Sequence, residues 1–136
     1  MPEKNEEAIK EVFDEIESSL KDPNGIILHQ RRLAFSLSLG VVCLLENYLE
    51  KLNISKPGSK INHLWLKKKK ENAKKLISNQ IICPIENVNN INEILDIAYK
   101  IEKERNELAY GKPVHEEVLK EKINLFLELK KRLENA

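Results

Sequence analysis

The sequence predicts an all-α protein, an up-and-down four-helix bundle with one additional helix. Three observations carry that expectation. Apolar residues recur at steps of three and four through five stretches, the period of an amphipathic helix. The gaps between those stretches hold Asp, Asn, Gly and Pro, which favour turns. Isoleucine, leucine, lysine, glutamate and asparagine dominate the 136 residues, only 4 are glycine, and no run alternates with the period of a strand.

The first helix covers about residues 4–21, with Ile9, Val12, Phe13, Ile16 and Leu20 inward, and Asp22-Pro23-Asn24-Gly25 stops it. The second runs from about Ile27 to Leu52 and is the longest. Leu33, Leu37, Val41, Leu44, Tyr48 and Leu52 form one side, and Phe35, Leu39, Val42, Leu45 and Leu49 broaden it. A helix apolar around so much of its circumference is central in its bundle or also meets another subunit. A homodimer is expected, with Ser36 and Gly40 admitting a close backbone, and packing within one chain is the alternative.

Residues 54–60, ISKPGSK, form a turn. The third helix is expected over Ile61–Gln80, with Leu64, Trp65, Ala73, Leu76 and Ile77 inward. Lys67, Lys68, Lys69, Lys70 and Asn72 interrupt that seam, so the lysines snorkel around its edge or the helix breaks there. CPIENVNN, residues 83–90, is a connection or cap. The fourth helix spans about Ile91–Tyr110, with Gly111 as a left-handed C-cap and Pro113 preventing simple continuation. The fifth starts near Pro113, at its first helical position, and reaches Leu133. Glu116 and Glu117 suit its positive end, and Leu119, Ile123, Phe126 and Leu127 face the core.

A chain of this length suits a single domain, residues 1–136. The net charge is only +1, but residues 60–75 hold seven lysines against Glu71, which permits an anionic partner without requiring one. Cys43 sits in an apolar run and reads as a small buried hydrophobe, while Cys83 precedes Pro84 at a helix end. His29, His63 and His115 are far apart in sequence, so no metal site and no cofactor are expected. MPEKNEEAIKEV is unlike a secretory signal, and the apolar run Leu33–Leu45 falls short of a membrane span. A cytoplasmic setting without a membrane partner is the expectation.

Chemistry concentrates in RNELAYG, residues 105–111. Ile94, Ala98, Ile101, Arg105 and Leu108 follow one another at steps of four, three, four and three, so an arginine occupies a seam position. Charges seldom lie inward without a partner or a task. Arg105 has the planar donor set that holds a phosphate. Asn106 could orient the guanidinium or a ribose, and Tyr110 offers a hydroxyl and a stacking face. On a straight helix Arg105 and Tyr110 point about 140° apart, so a bend or a second subunit must complete a shared site. Glu46, which interrupts the apolar run of the second helix, is a candidate partner for Arg105, and Glu102 is another. A structural salt bridge is then the alternative to ligand binding.

RNELAYG resembles the active motif of the HEPN superfamily, small helical proteins that include RNases and partners of minimal nucleotidyltransferases. That motif is an arginine, often followed by asparagine, then three further residues and a histidine. Arg105 and Asn106 match its start, Leu108 and Ala109 its filling, and Tyr110 stands where the histidine is expected. Length, helix order and the long central helix agree across nearly the whole chain. The resemblance implies a symmetric dimer with two motifs near a cleft and RNA cleavage without a required metal. Arg105 would steady the scissile phosphate, and Asn106 and Tyr110 would position the nucleotide. A phenol is a poor general base at neutral pH beside an imidazole, so the role open to Tyr110 is to donate a hydrogen bond or to stack on a base. His115 beyond Pro113, or His29 with Arg31 and Arg32 on the second helix, are weak substitutes. Lys67–Lys70, Lys74 and Lys75 would attract an RNA backbone.

The leading expectation is therefore an HEPN-like RNA-binding protein acting as a metal-independent RNase in a toxin or stress system. One alternative is a noncatalytic dimeric module that pairs with a nucleotidyltransferase or binds a nucleotide. The other is a structural homodimer.

Overall fold

In the computed structural model, which describes residues 2–135, the chain folds into α1 (Pro2–Lys21), α2 (Gln30–Lys51), α3 (Lys70–Ser78), α4 (Ile91–Glu102), α5 (Arg105–Tyr110) and α6 (Glu116–Asn135). Short 3-10 turns occupy Ile26–His29, His63–Lys67 and Ile85–Asn87. Helices α4 and α5 are two arms of one bent helix, so the domain is all-α with five helices. Among the described residues it has no strand, only an isolated antiparallel bridge between Ser55 and Ile81.

Helix α2 is the axis. It packs on α1, on both arms α4 and α5, and on α6, while the additional helix α3 lies outside this group against α4 and the turn His63–Lys67. The wide apolar surface of α2 is thus largely absorbed within the chain. The stretch Ile26–Lys51 is long and apolar enough to cross a bilayer by length and composition, yet 67% of its most apolar window is buried. Gly40 has an internal reason as well. A Cβ there would lie 2.6 Å from Cε1 of Phe126 on α6, so α2 and α6 approach at that point only because the side chain is missing. Burial also pushes the Cys43 thiol up to about 11, as suits a packing residue.

The apolar periodicity gives most of the inward faces, but Leu20, Leu64 and Leu127, also expected inward, are exposed at the margins of the packed surface. Val12, Ile16, Leu33, Val41, Ile94, Ala98, Leu119, Ile123 and Phe126 are all buried. Five features differ from expectation, the first being the start of the second helix, where Ile26–His29 is a 3-10 turn and α2 begins at Gln30. The third helix is not continuous over Ile61–Gln80: Lys68 and Lys69 are extended backbone between a 3-10 turn and α3, the local break that the lysine run allowed. The fourth helix keeps its expected ends, Ile91 and Tyr110, but bends at Lys103 and Glu104. Lys122 of α6, itself buried, donates to the Lys100 carbonyl at 2.7 Å and to Glu104 Oε1 at 2.7 Å. It thereby takes the acceptor that a continuing helix would offer to the Glu104 N–H. Gly111 is no left-handed cap either. Its backbone is extended (φ −94°, ψ −169°), and glycine is needed because a Cβ would collide with the Glu107 carbonyl oxygen.

The last helix begins at Glu116 and not at Pro113, because Gln30 holds the preceding segment extended. Gln30 is buried at the start of α2. Its Nε2 donates to the carbonyls of Leu108 (3.1 Å) and Lys112 (3.0 Å), and its Oε1 accepts from the Val114 N–H at 2.9 Å.

The turn between α1 and α2 is clasped by His29. Its Nε2 lies 2.8 Å from Asp22 and its Nδ1 2.7 Å from Glu15, so both ring nitrogens face carboxylates. In the doubly protonated ring both are donors. Arg32, 3.0 Å from Nδ1, then cannot donate there, and it faces Glu15 Oε1 at 3.5 Å. Asp22 first and Glu15 second hold the His29 pKa above its ordinary 6.5, against the opposing effect of burial. Asp22 is held below 3.8, chiefly by the Asn24 N–H and then by His29. The clasp therefore stabilises fully below pH 6.5 while Asp22 stays ionised, and it is lost as pH rises through the higher folded-state value of His29. His29→Gln is expected to flatten the fall in melting temperature between about pH 6 and 9. An unchanged slope would remove His29 as its cause.

Candidate functional site

Arg105 opens α5, immediately after the bend. Its guanidinium carbon lies 4.9 Å from the centroid of the Phe35 ring on α2, and Nη1 donates to Asn106 Oδ1 at 3.0 Å. Its Nε is buried and meets no acceptor among the described residues. Neither expected carboxylate pairs with it. Glu46 instead accepts the Ile61 N–H at 2.7 Å, and Glu102 faces His63. Arg105 is thus half-buried on an aromatic face with no carboxylate partner among the described residues, and neither Glu46 nor Glu102 makes the expected salt bridge.

The bend precedes α5 and leaves the spacing of Arg105 and Tyr110 unchanged, yet both side chains reach the same ring. Tyr110 is 73% exposed and meets the Phe35 ring edge-on, with centroids 5.9 Å apart. Arg105 and Tyr110 therefore share Phe35 as a platform, although they follow one another at a spacing that separates them on a straight helix. Asn106 is exposed beside them. Among the described residues no group bonds the phenol, which leaves it open to stacking and hydrogen bonding.

Arg105 lines a groove of about 820 Å³ between α2 and the loop that follows it. Phe35, Leu39 and Val42 supply an apolar side, and His63, Leu64 and Trp65 form the opposite lip. Leu39 and Leu64 are about half exposed there. The lip is fixed locally. Asn62 Oδ1 accepts the Leu64 N–H at 2.9 Å, and Glu46 anchors Ile61. Glu46 thus orients the histidine-bearing turn and not the arginine.

His63 is the imidazole that local sequence spacing does not reveal. Its Nδ1 lies 3.3 Å from Oε2 of Glu102, whose side chain is 0% exposed. Glu102 is therefore the fully buried carboxyl group of the bent helix, while Arg105 is only half-buried. A second step pattern marks it: Ile91, Leu95, Ala98 and Glu102 follow at four, three and four, an inward stripe beside the one containing Arg105. His115 is exposed ahead of α6, and His29 is engaged in its clasp. Arg31 and Arg32 line a separate depression with Leu108 and Gly111.

The expected basic segment divides. Lys67, Lys68, Lys69 and Lys70 line a smaller cavity of about 310 Å³, with Leu95 and Tyr99 of α4. Lys70 pairs with Asp96 at 3.0 Å. Lys74 is buried and donates to Glu86 at 2.9 Å and Asn92 at 3.3 Å, so its charge is spent on holding α3 to the turn before α4 and to the first turn of α4 itself. Lys68, Lys69 and Lys75 are exposed. Tyr99, 42% exposed, supplies the aromatic surface that the lysine run itself lacks. The turn His63–Lys67 joins the two depressions, giving His63, Leu64 and Trp65 to one and Leu66 and Lys67 to the other.

No cluster of three or more His, Cys, Asp or Glu side chains is placed to hold a metal ion among the described residues. No protein-family model, curated protein or solved structure matches this chain.

Proposed function

We propose that this chain is an HEPN-like RNA-binding protein that cleaves single-stranded RNA without a required metal, as part of a toxin or stress system. The observation that carries the reading is the Arg105 guanidinium, which lies on Phe35 in an open groove with no carboxylate partner among the described residues. A planar cation with free donors on an aromatic wall suits a phosphate flanked by an unstacked base. Tyr110 adds a second stacking surface, and Lys67, Lys68 and Lys69 extend the positive path beyond the turn. Cleavage would follow attack of a ribose 2′-hydroxyl on its neighbouring phosphate, with Arg105 stabilising the developing charge and leaving a cyclic phosphate.

The exposed apolar side chains beside the motif, Phe35, Leu39 and Leu64, support pairing of two copies across this face. They equally suit a noncatalytic module docking a nucleotidyltransferase, and the wide exposure of Tyr110 favours that second reading over a structural homodimer.

The test is binding of a fluorescent single-stranded RNA, in chelator, over a range of salt. Affinity should fall as salt rises. Arg105→Ala should weaken it at least about tenfold, the equivalent of about 1.4 kcal/mol, while the melting temperature holds. Binding that is absent, or that is identical in Arg105→Ala, would overturn the RNA reading. Binding of RNA without cleavage would favour the noncatalytic module.

A further inference from the structure

We infer that His63, held by Glu102, is the proton-transfer group of the Arg105 groove. This rests on the RNA-cleavage reading above and supplies the base that Tyr110 does not. The arrangement has the three features of an assembled acid–base site. A carboxylate lies behind the ring, the opposite ring nitrogen is free, and an anion-binding cation shares the cavity wall.

Each feature is specific. Glu102 is wholly buried, and its Oε2 stands 3.3 Å from His63 Nδ1. A buried carboxylate in that position fixes the tautomer with the proton on Nδ1 and leaves the Nε2 lone pair to accept another. Nε2 makes no hydrogen bond within the described protein, and the His63 side chain keeps 33% of its exposure at the lip of the groove. Arg105 lines the same groove, so a phosphate held by its guanidinium lies in the cavity that His63 borders. The other charged side chain lining that groove is Lys60, which favours the same anionic ligand. Among the described residues Glu102 Oε1 meets no donor, so no second ion pair there holds that oxygen. A buried carboxylate kept only for stability would be expected to have both oxygens paired.

In the step, Nε2 of His63 takes the proton of the ribose 2′-hydroxyl as O2′ forms its bond to phosphorus. The bond from phosphorus to the 5′-oxygen breaks, and that oxygen leaves with a proton from solvent. The products are a 2′,3′-cyclic phosphate and a 5′-hydroxyl, and His63 returns its proton to water. Arg105 stabilises the charge on the non-bridging oxygens. Glu102 does not touch substrate. It is a positioning residue that orients the ring and stabilises the imidazolium formed.

The experiment measures binding and cleavage of one single-stranded RNA in chelator by wild type, His63→Ala, His63→Gln, Glu102→Gln and Arg105→Ala. His63→Ala is expected to lower kcat about 100-fold or more while the RNA Kd changes less than about threefold, and added imidazole should restore part of the rate. Glu102→Gln should lower kcat and displace the ascending limb of the pH–rate profile, a change that loss of packing alone would not produce. If His63→Ala does not fold, His63→Gln carries the same comparison.

Cleavage that survives in His63→Ala or His63→Gln but disappears in Arg105→Ala would overturn the role of His63 and leave the RNase reading intact. Wild type that binds RNA through Arg105 and leaves it whole would overturn the proton-transfer role and leave RNA binding standing. Absence of RNA binding would overturn both.

Discussion

Phe126→Ala is expected to lower the unfolding free energy by about 3–5 kcal/mol, read as a fall in the urea midpoint at nearly constant slope. Phe126 is 0% exposed, and its ring lies 5.6 Å from that of Phe13 on α1, tilted by 56°. Its edge fills the space above Gly40. Three helices therefore meet on one side chain, and none can close the gap independently. Gly40 contributes no atoms, and Phe13 is already committed to the α1 face. A domain of this size has about 5–15 kcal/mol in total, so the loss is a large part of it. Phe126→Leu retains most of the volume and is expected to cost less than half as much. Equal midpoints for Phe126→Ala and the parent would mean that α1, α2 and α6 do not depend on this contact.

The contrast between Phe126 and Glu102 shows what a sequence carries. Phe126 follows from a repeat of four and three within its own helix, and the period alone places it inside. The stripe Ile94, Ala98, Ile101 and Leu108 is legible for the same reason and is buried throughout. Arg105 falls on that stripe too, but the bend at Lys103 and Glu104 turns it onto Phe35. The bend depends on Lys122, more than fifteen residues later in the chain, reaching the Lys100 carbonyl. No local pattern encodes that contact. Lys74 illustrates the same limit: in a lysine-rich segment it reads as one more solvated cation, yet Glu86 and Asn92 draw it inward.

The site divides along the same line. Arg105, Asn106 and Tyr110 are close enough in sequence to be found by motif, and Arg105 and Tyr110 meet on Phe35 while Asn106 accepts from Arg105. His63 and Glu102 are 39 residues apart, and each looks ordinary in its own neighbourhood. Only the fold of the loop after α2, anchored by Glu46 and capped by Asn62, sets the imidazole against the carboxylate. The residue that sequence assigned to Arg105 as a partner thus contributes to the same groove from the opposite lip.

Gln30 tests whether the motif exit is held by α2 or by its own helix. Gln30→Ala is expected to cost about 2–3 kcal/mol, because three hydrogen bonds vanish and the buried Leu108 carbonyl loses a donor. Gln30→Glu should be at least as damaging: a carboxylate can accept from the Val114 N–H but cannot donate to the carbonyls of Leu108 and Lys112. The loss should be local before it is global. Hydrogen exchange should accelerate at the amides of Gly111, Lys112 and Val114 while the α6 amides around Phe126 keep their protection. Tyr110 lies next to that segment, so its contact with Phe35 should loosen, whereas Arg105, anchored at the far end of α5, should not move. Unchanged exchange at residues 111–114 in Gln30→Ala would mean that Gly111 and Pro113 impose the extended exit unaided, with Gln30 only filling the space beside it.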